Sequence, residues 1–486
     1  MHRVEAQVAV VGAGAAGLHT ALCAARQGAA VTLVSAMPLA GSSSYWAQGG
    51  LAAALAADDS PAAHLADTIV AGRGSVRESA ARVLCDEAPA AVRDLQELGV
   101  AFDADRHGQL ALGLEGGHSR RRVVHAGGAA TGRRIIGELS ALVAQDERIA
   151  VLESTRAARI LTSDGAAVGV LLEDGTRIVA PAVVLATGGA AAMWSRTTNP
   201  IGATGGGLLL AFQAGARLAD LELMQFHPTA VVGANGADGF LVTEAVRGEG
   251  AHLLDAAGER FVDELAPRDE VARAVQQQID SSDASSVGLD MRHVDPALFP
   301  NVVGALRRAG IDPERELIPV APAAHYMMGG VATDLHGRTS LRGLFAVGEC
   351  SCTGLHGANR LASNSLSECF VFGERAARAA VQDAAPAARA AHLDRHDPAV
   401  GAPDELSAAS RQALWRYAGL ERDAEGLRTL ARDEHLLVRL IATGALAREE
   451  SRGAHRRLDF PQRDPALERH HVTLTESRGP TLENWS

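Results

Sequence analysis

Residues 7–17 read QVAVVGAGAAG: a short run rich in valine leads into glycines at positions 12, 14 and 17, and an alanine-rich helical pattern follows. Such glycines allow a tight turn after a strand and let a pyrophosphate approach the N-terminus of the next helix. The stretch therefore predicts a dinucleotide-binding α/β domain. The residues expected to contact the dinucleotide are Gly12, Ala13, Gly14, Ala15, Ala16 and Gly17.

Three further segments extend this domain along the chain. The strand predicted at 30–34 ends in Ser35, where an acid normally holds a ribose, so Ser35 is expected to be a weaker substitute. Two other buried-strand patterns, Val183–Gly189 and Gly343–Glu349, also end in small residues, and they place Gly188 and Glu349 beside the cofactor. The wide separation of these strands predicts one nucleotide domain assembled from discontinuous segments.

Two glycine- and serine-rich loops carry the next signal. The loop 41–50 (GSSSYWAQGG) suits the phosphates and ring edges of a flavin, although a serine-rich surface loop is the alternative. The stretch 353–367 (TGLHGANRLASNSLS) combines turn glycines, a predicted helix start and Arg360, whose planar fork suits a carboxylate. It predicts a substrate site next to the flavin, whereas an ordinary turn with a surface arginine is the alternative. The cofactor contacts expected from both loops are Ser43, Ser44, Tyr45, Trp46, Ala47, Gln48, Gly49, Gly50, Asn364, Ser365 and Leu366.

Polar clusters replace the fingerprint pattern between about residues 220 and 326, which predicts an inserted cap domain. Its histidines and arginines suit a dicarboxylate, because each buried carboxylate needs charge-assisted donors. A set of structural salt bridges is the alternative. After about residue 396 the pattern becomes helical. We therefore predict an FAD-type α/β domain over 1–220 and 327–395, an α+β capping domain over 221–326, and a C-terminal helical domain over 396–486.

Composition narrows the possible partners and location. The net charge is −12, no dense basic stripe is present, and no apolar run reaches about 18 residues, so neither nucleic acid nor a membrane is an expected partner. The five cysteines show no paired framework, and Cys350 and Cys352 lack a second ligand pair for zinc, so no metal site is expected. A reducing cytoplasm is the expected location.

The ordered motifs together resemble the L-aspartate oxidases of the succinate dehydrogenase and fumarate reductase flavoprotein superfamily. They run from GAGAAGL through SYWAQGG, ATGG, QFHPT, TEAVRGEG, APRD, AAHYMMGG and TGLHGANRLASNSL to RxESRGxHxRxDFP at 448–461. The resemblance implies FAD, the three-part fold, and oxidation of L-aspartate to iminoaspartate by hydride transfer to flavin N5, with oxygen or fumarate as the acceptor. It also implies the first step of NAD biosynthesis, with quinolinate synthase using the product.

The same resemblance implies roles for individual residues. Arg268 would donate or accept the proton, and Glu244 and Arg247, three residues apart, would pass it along one helical face. Glu115, in EGGHSRR, would bind the substrate's amine, with an exposed loop glutamate as the alternative. The remaining substrate contacts implied are His227, Thr243, His325, Arg360 and Gln225.

One position separates the subfamilies. Respiratory members bond the flavin to a histidine near the loop 41–50, but the aligned residue here is Ser43, and no histidine lies between positions 37 and 50. FAD is therefore expected to be noncovalent. Two other functions stay open at this stage: a soluble fumarate reductase or succinate oxidase, and a flavin-binding redox sensor without turnover.

Overall fold

The computed structural model describes residues 3–39, 42–234, 236–282, 284–384 and 406–486. In chain order its strands are β1 (Arg3–Glu5), β2 (Val8–Val11), β3 (Val31–Val34), β4 (Leu51–Ala52), β5 (Leu112–Gly113), β6 (Val123–Val124), β7 (Ile149–Leu152), β8 (Ala157–Ser163), β9 (Ala166–Leu172), β10 (Arg177–Val179), β11 (Ala182–Leu185), β12 (Leu218–Ala219), β13 (Met224–Val231), β14 (His252–Leu254), β15 (Val287–Asp290), β16 (Ile318–Met327), β17 (Gly330–Ala332), β18 (Leu344–Ala346), β19 (Ser351–Cys352), β20 (His470–Thr475) and β21 (Arg478–Asn484).

The helices, again in chain order, are α1 (Ala15–Arg26), α2 (Pro61–Ala71), α3 (Glu78–Glu97), α4 (Thr131–Gln145), α5 (Gly206–Gln213), α6 (Glu244–Gly248), α7 (Arg268–Asp280), α8 (Pro300–Arg308), α9 (Asn364–Ala384), α10 (Ala408–Tyr417), α11 (Ala424–Leu430) and α12 (Leu436–Ala447). Within the described ranges, none of them is both long and apolar enough to cross a bilayer.

A parallel five-stranded sheet in the order β18-β11-β2-β3-β7 is the centre of the molecule. The strands predicted near residues 7–11, 183–189 and 343–349 are neighbours in it, which confirms that one sheet is built from distant segments. The residues of β2, β3, β11 and β18 are buried throughout, as expected for a sheet covered on both faces. The carboxyl ends of these strands meet at one edge, which is where such sheets bind ligands.

Two glycines make the turn from β2 into α1 possible. Gly12 has a φ of +110°, and a Cβ there would lie 2.2 Å from the carbonyl oxygen of Ala186. A Cβ on Gly17 would lie 1.9 Å from the carbonyl oxygen of Gly12. Any larger side chain would push strand and helix apart, so the fingerprint glycines are required by backbone packing in this chain.

The inserted segment forms its own layer. Its antiparallel sheet has the order β13-β16-β15-β14 and covers an apolar core that runs from Val231 to Ala321. The chain enters and leaves this segment side by side, because β12 pairs with β17. At the entry, Asp220 has a φ of +55°, and a Cβ on Gly329 would lie 2.1 Å from its carbonyl oxygen. The cap is therefore an insertion on a tightly packed two-strand base, and the α/β architecture with an α+β insertion agrees with the sequence prediction.

The C-terminal part differs from the all-helical prediction. Helices α10, α11 and α12 pack against the back of the flavin domain, but the chain then forms the hairpin of β20 and β21. The four central residues of strand β20 are all buried, and the strand joins the sheet of β19, β17 and β12 by pairing with β12. The pairing depends on a two-residue strand far away in sequence, which periodicity cannot reveal. The predicted boundary at 395/396 lies outside the described residues.

A buried ion network joins this C-terminal segment to the base of the cap. Arg448, which is fully buried, donates to Glu222 at 2.7 Å, to Glu450 at 3.2 Å and to Asp220 at 3.2 Å. Burial raises the pKa of Glu222 despite this arginine, whereas His471 and Arg448 outweigh burial and hold the pKa of Asp220 below its usual value. One guanidinium thus neutralises carboxylates that would otherwise be costly to bury.

Arg73 provides a second connection. Its carbonyl oxygen accepts a hydrogen bond from Arg452 at 2.8 Å, and its guanidinium donates to Asp269 at 3.0 Å and also pairs with Glu270. Both acids lie in the first turn of α7, next to Arg268. The C-terminal segment therefore supports the first turn of the cap helix that presents Arg268.

We expect Arg448→Met to destabilise the protein by about 3–5 kcal/mol, because it leaves the buried Glu222 without its cation and removes one partner each from Asp220 and Glu450. Urea unfolding followed by circular dichroism would measure the change. As a control, Arg82→Ala removes an exposed pair with Glu78 and should change stability by no more than about 0.5 kcal/mol. An unchanged midpoint for Arg448→Met would show that the network does not hold the hairpin and the cap base together.

Candidate active site

The N-terminus of α1 and the loop 42–50 form one cradle. The backbone N–H of Ala15 donates to Ser44 Oγ at 3.2 Å, and a Cβ on Gly14 would lie 3.2 Å from the same oxygen. Ser42 Oγ, Gln48 Oε1 and Thr187 Oγ1 are buried without a hydrogen-bond partner in the described residues. Unpaired buried polar atoms beside a helix N-terminus fit a bound pyrophosphate and ring system, so these residues suit the predicted dinucleotide.

The loop itself is half-buried rather than a free surface loop, and Ser43–Trp46 form a 3-10 turn that packs against α4. Gln48 donates across to the carbonyl of Leu241 at 2.8 Å, and a Cβ on Gly50 would lie 2.3 Å from the carbonyl of Val124. Tyr45 packs edge-on against Trp46, whose side chain is 61 % exposed and so does not line the buried cradle.

The other predicted cofactor residues divide into two groups. Glu349 is near Gly188: a Cβ on the adjacent Gly189 would lie 2.3 Å from its carboxylate, and burial raises the pKa of Glu349 to about 7. Ser35 and Asn364 instead use their side chains within the protein. The Ser35 hydroxyl donates to the carbonyl of Met37, and the Asn364 amide bonds His64 at 2.8 Å and Thr68 at 3.1 Å.

Further along the same edge, Arg268 and Glu244 form a buried ion pair. Arg268 Nε donates to Glu244 Oε2 at 2.6 Å, and Arg247 Nη2 lies 3.8 Å from the same oxygen. Glu244 and Arg247 share the short helix α6, and Thr243 stands at its N-cap with its hydroxyl not bonded to the helix. Burial acts to raise the pKa of Glu244, but the two arginines outweigh it and hold this pKa below its usual value. Glu244 is therefore a carboxylate at neutral pH.

The side chain of Gln225 links two arginines. Its Oε1 accepts from Arg268 Nη1 at 3.2 Å and from Arg360 Nε at 3.2 Å. Its Nε2 donates to Asn359 Oδ1 at 3.1 Å and to the carbonyl of Arg360 at 2.9 Å. One amide thus fixes the separation of two cations from different parts of the chain.

Arg360 is buried, which rules out the alternative of a surface arginine. Besides Gln225, it donates from Nη1 to Ser365 Oγ at 2.6 Å, and its guanidinium lies 4.3 Å from the ring centre of Tyr326. Burial, together with the nearby Arg268, lowers the pKa of Arg360 to about 10. Its Nη2 makes no hydrogen bond to any described residue, so it is free to bind an anion.

His227 and His325 pack edge-on with ring centres 5.2 Å apart. The pKa of each is well below the usual value, because burial and the neighbouring arginines disfavour a further positive charge. The backbone N–H of Thr229 donates to Nδ1 of His227, so this neutral ring carries its proton on Nε2 and can donate from there. His325 Nδ1 lies 2.8 Å from Thr198 Oγ1.

Glu115 is only 6 % exposed, which excludes the alternative of an exposed loop glutamate. Its Oε2 accepts from the hydroxyl of Ser363 at 2.7 Å. A Cβ on the next residue, Gly116, would lie 2.0 Å from Glu244 Oε1, so the loop passes directly over the ion pair of Glu244 and Arg268. The structure therefore brings Glu115 to the same pocket as the cap residues.

Sequence reasoning missed the residues that support Arg360 from behind. The Tyr326 hydroxyl donates to Glu368 at 3.1 Å, and Glu368 also contacts His356 at 2.8 Å and Thr353 at 3.2 Å. Tyr326 and His356 lie inside quoted motifs, but nothing in the one-dimensional pattern separates a residue that touches a ligand from one that supports such a residue.

The fold and site can be compared with known proteins. The FAD binding domain family matches residues 7–366, and the fumarate reductase flavoprotein C-terminal family matches 431–484. An L-aspartate oxidase from Caulobacter vibrioides is 47 % identical over 97 % of both chains, and one from Streptomyces coelicolor is 42 % identical over 99 % of this chain and 93 % of its own.

Solved structures of related flavoproteins have a similar fold. A mutant of the Escherichia coli quinol fumarate reductase subunit FrdA is similar with a TM-score of 0.90, at 29 % identity over 99 % of this chain and 97 % of its own. Mycobacterium smegmatis Sdh1 gives a TM-score of 0.85 at 29 % identity over 100 % of this chain and 95 % of its own. The chain therefore belongs to the L-aspartate oxidase family, whose fold is that of the FAD-dependent succinate dehydrogenase and fumarate reductase flavoproteins.

Proposed function

We propose that this protein oxidises L-aspartate to iminoaspartate, uses noncovalently bound FAD, and passes the electrons to oxygen or fumarate. The observation that carries the proposal is the charge pattern of one buried pocket: Arg360 and Arg268 are joined by Gln225, and the pocket also holds Glu115, an acid that forms no ion pair with any described residue. A substrate with two carboxylates and an ammonium group matches this pattern, whereas succinate would leave Glu115 without a cationic partner.

The cofactor assignment follows from the cradle at α1 and the loop 42–50. FAD bound in this cradle would supply the hydride acceptor for oxidation at the substrate Cα. Ser43 stands where a covalent attachment would need histidine, and an alcohol side chain offers no comparable bond. We therefore expect denaturation to release the flavin from the protein.

The side chains of the pocket hold and orient the substrate. In the proposal Arg360, with the neutral donors His227 and His325 and the hydroxyl of Thr243, binds the two carboxylates, and Glu115 binds the ammonium. A substrate held at both carboxylates and at the amine presents its Cα–H bond in one orientation. Such positioning lowers the activation barrier of the reaction. Gln225 holds the two arginines at fixed positions relative to the substrate.

Arg268 is the group proposed to move a proton. Oxidation removes the Cα hydrogen with its electron pair and one proton from the ammonium, and in fumarate reduction a proton must be returned to carbon. Arginine is a poor base in water. Here Glu244 Oε2 lies 2.6 Å from Arg268 Nε and 3.8 Å from Arg247 Nη2. When Arg268 loses or gains a proton, the nearby carboxylate and the second guanidinium compensate for the change in its charge.

The biological role proposed is the first step of NAD biosynthesis, with quinolinate synthase consuming the unstable imine. All five cysteines are free, which is what a reducing cytoplasm favours. A soluble fumarate reductase or succinate oxidase is the second candidate, because the arginine pair alone would serve a plain dicarboxylate. A redox sensor without turnover would leave the buried arginines and their carboxylates unexplained.

Anaerobic mixing of the purified yellow protein with L-aspartate should bleach the flavin absorbance, because the half-reaction needs no added acceptor. Succinate at the same concentration should bleach it far more slowly. Bleaching by succinate alone would favour the soluble fumarate reductase, and no bleaching by either, with FAD bound, would favour the redox sensor.

Replacing Arg268 with alanine should lower the rate of flavin reduction by L-aspartate by about 100- to 10,000-fold, the usual contribution of acid–base catalysis. The flavin content should stay unchanged. Arg273→Ala is the matched control: it lies on the same helix and bonds only the carbonyl of Asp269. A normal rate in the Arg268→Ala protein would remove Arg268 from the reaction.

Glu115→Gln should lower kcat/KM for L-aspartate by about 10- to 100-fold, since a hydrogen bond to a charged partner contributes about 1.5–3 kcal/mol. Fumarate reduction should change by less than about threefold, because fumarate has no ammonium group. Both activities would be measured on the same preparation. Equal losses in the two reactions would show that Glu115 does not discriminate between substrates.

A further inference from the structure

Ser363 has an unfavourable backbone conformation. It precedes α9 with a φ of +61°, in the left-handed region that costs most residues other than glycine free energy. The helix start predicted within 353–367 falls at this residue, and the Ser363 hydroxyl donates to Glu115 rather than capping the helix. A strained residue of this kind usually has a side chain or backbone group with a specific task.

The backbone carbonyl of Ser363 accepts from the N–H of Ala52 at 3.2 Å, and its hydroxyl makes a hydrogen bond to Glu115. The Ser363 hydroxyl donates to Oε2 at 2.7 Å, and both residues are only 6 % exposed. Oε1 of Glu115 has no hydrogen-bond partner in the described residues. A Cβ on Gly49 would lie 3.5 Å from Ser363 Oγ and 3.9 Å from Glu115 Oε1, so the free oxygen faces the space beside the flavin loop.

The next serine, Ser365, contacts a cation instead of an anion. Ser365 Oγ accepts from Arg360 Nη1 at 2.6 Å. Glu115 and Arg360 are close enough that the acid helps to raise the arginine's pKa, although burial lowers it overall. Across the described residues they nevertheless form no ion pair within 4.0 Å. Two hydroxyls on one turn therefore hold an anion and a cation apart.

We propose that Ser363 is a positioning residue that sets substrate specificity: its hydroxyl fixes one oxygen of Glu115, keeps the carboxylate from collapsing onto Arg360, and presents the other oxygen to the substrate ammonium. The inference rests on the proposed function, since it assigns Ser363 a role only through Glu115. Serine is used in a conformation that suits glycine because glycine has no hydroxyl.

The test is a double-mutant cycle in the intact flavin-loaded protein. Ser363→Ala should lower kcat/KM for L-aspartate by about 5- to 20-fold, because the carboxylate loses a buried charge-assisted bond. When Ser363→Ala is added to a protein that already carries Glu115→Gln, kcat/KM for L-aspartate should change by less than about twofold. The rate of fumarate reduction in the same background should also change by less than about twofold.

Ser363→Gly separates the hydroxyl from the backbone. Glycine relieves the left-handed strain whereas alanine keeps it, so the two variants should differ in thermal stability but lose the same aspartate activity. Flavin absorbance would confirm equal FAD content in every variant.

Three results would overturn the proposal: full aspartate activity in both Ser363 variants, an activity loss in alanine but not in glycine, or an undiminished loss in the Glu115→Gln background. The proposed function has its own, separate test. If the wild-type protein does not oxidise aspartate, the function fails; if it does and Glu115→Gln is selectively impaired while Ser363→Ala is not, only the role of Ser363 fails.

Discussion

The pocket depends on the hydrogen bonds made by the side-chain amide of Gln225. It accepts from Arg268 of the cap and Arg360 of the flavin domain, and donates to Asn359 and the carbonyl of Arg360. Two buried guanidinium groups repel each other, and Arg268 is one of the groups that lower the pKa of Arg360. A neutral amide oxygen shared between them offsets part of that repulsion without adding a negative charge that would compete with an anionic ligand.

The electrostatics of the pocket follow the same principle, in which neutral groups supply hydrogen bonds without adding charge. Its two histidines are kept neutral by burial and by the arginines, so they add donors without adding charge. Glu244 stays ionised between Arg268 and Arg247, and so offsets one of their two positive charges. Arg360 and Glu115 are held apart by the hydroxyls of Ser365 and Ser363, so each keeps its charge for a ligand.

The sequence predicted the discontinuous α/β nucleotide domain, the glycine turn and the inserted cap, because each depends on local patterns that burial and backbone sterics impose. It also placed Glu244 and Arg247 on one helical face. It did not predict the hairpin of β20 and β21, whose pairing with β12 is a tertiary event, nor the task of Ser363, which is visible only from its φ angle and a partner 248 residues away. The roles of Tyr326 and Glu368 were not predicted for the same reason: they contact Arg360 or its neighbours only after the chain has folded.

The two-strand base of the cap has a mechanical meaning. Asp220 is packed against Gly329 and held by Arg448, while Gln225 follows only a few residues later. Arg268 donates to both Gln225 and Glu244, so a rotation of the cap about this base would carry these three side chains together. It would separate Glu244 from Gly116, a residue whose missing side chain leaves room for that carboxylate. The same rotation would separate Gln225 from Arg360, so the two arginines keep their spacing only while the cap holds this position.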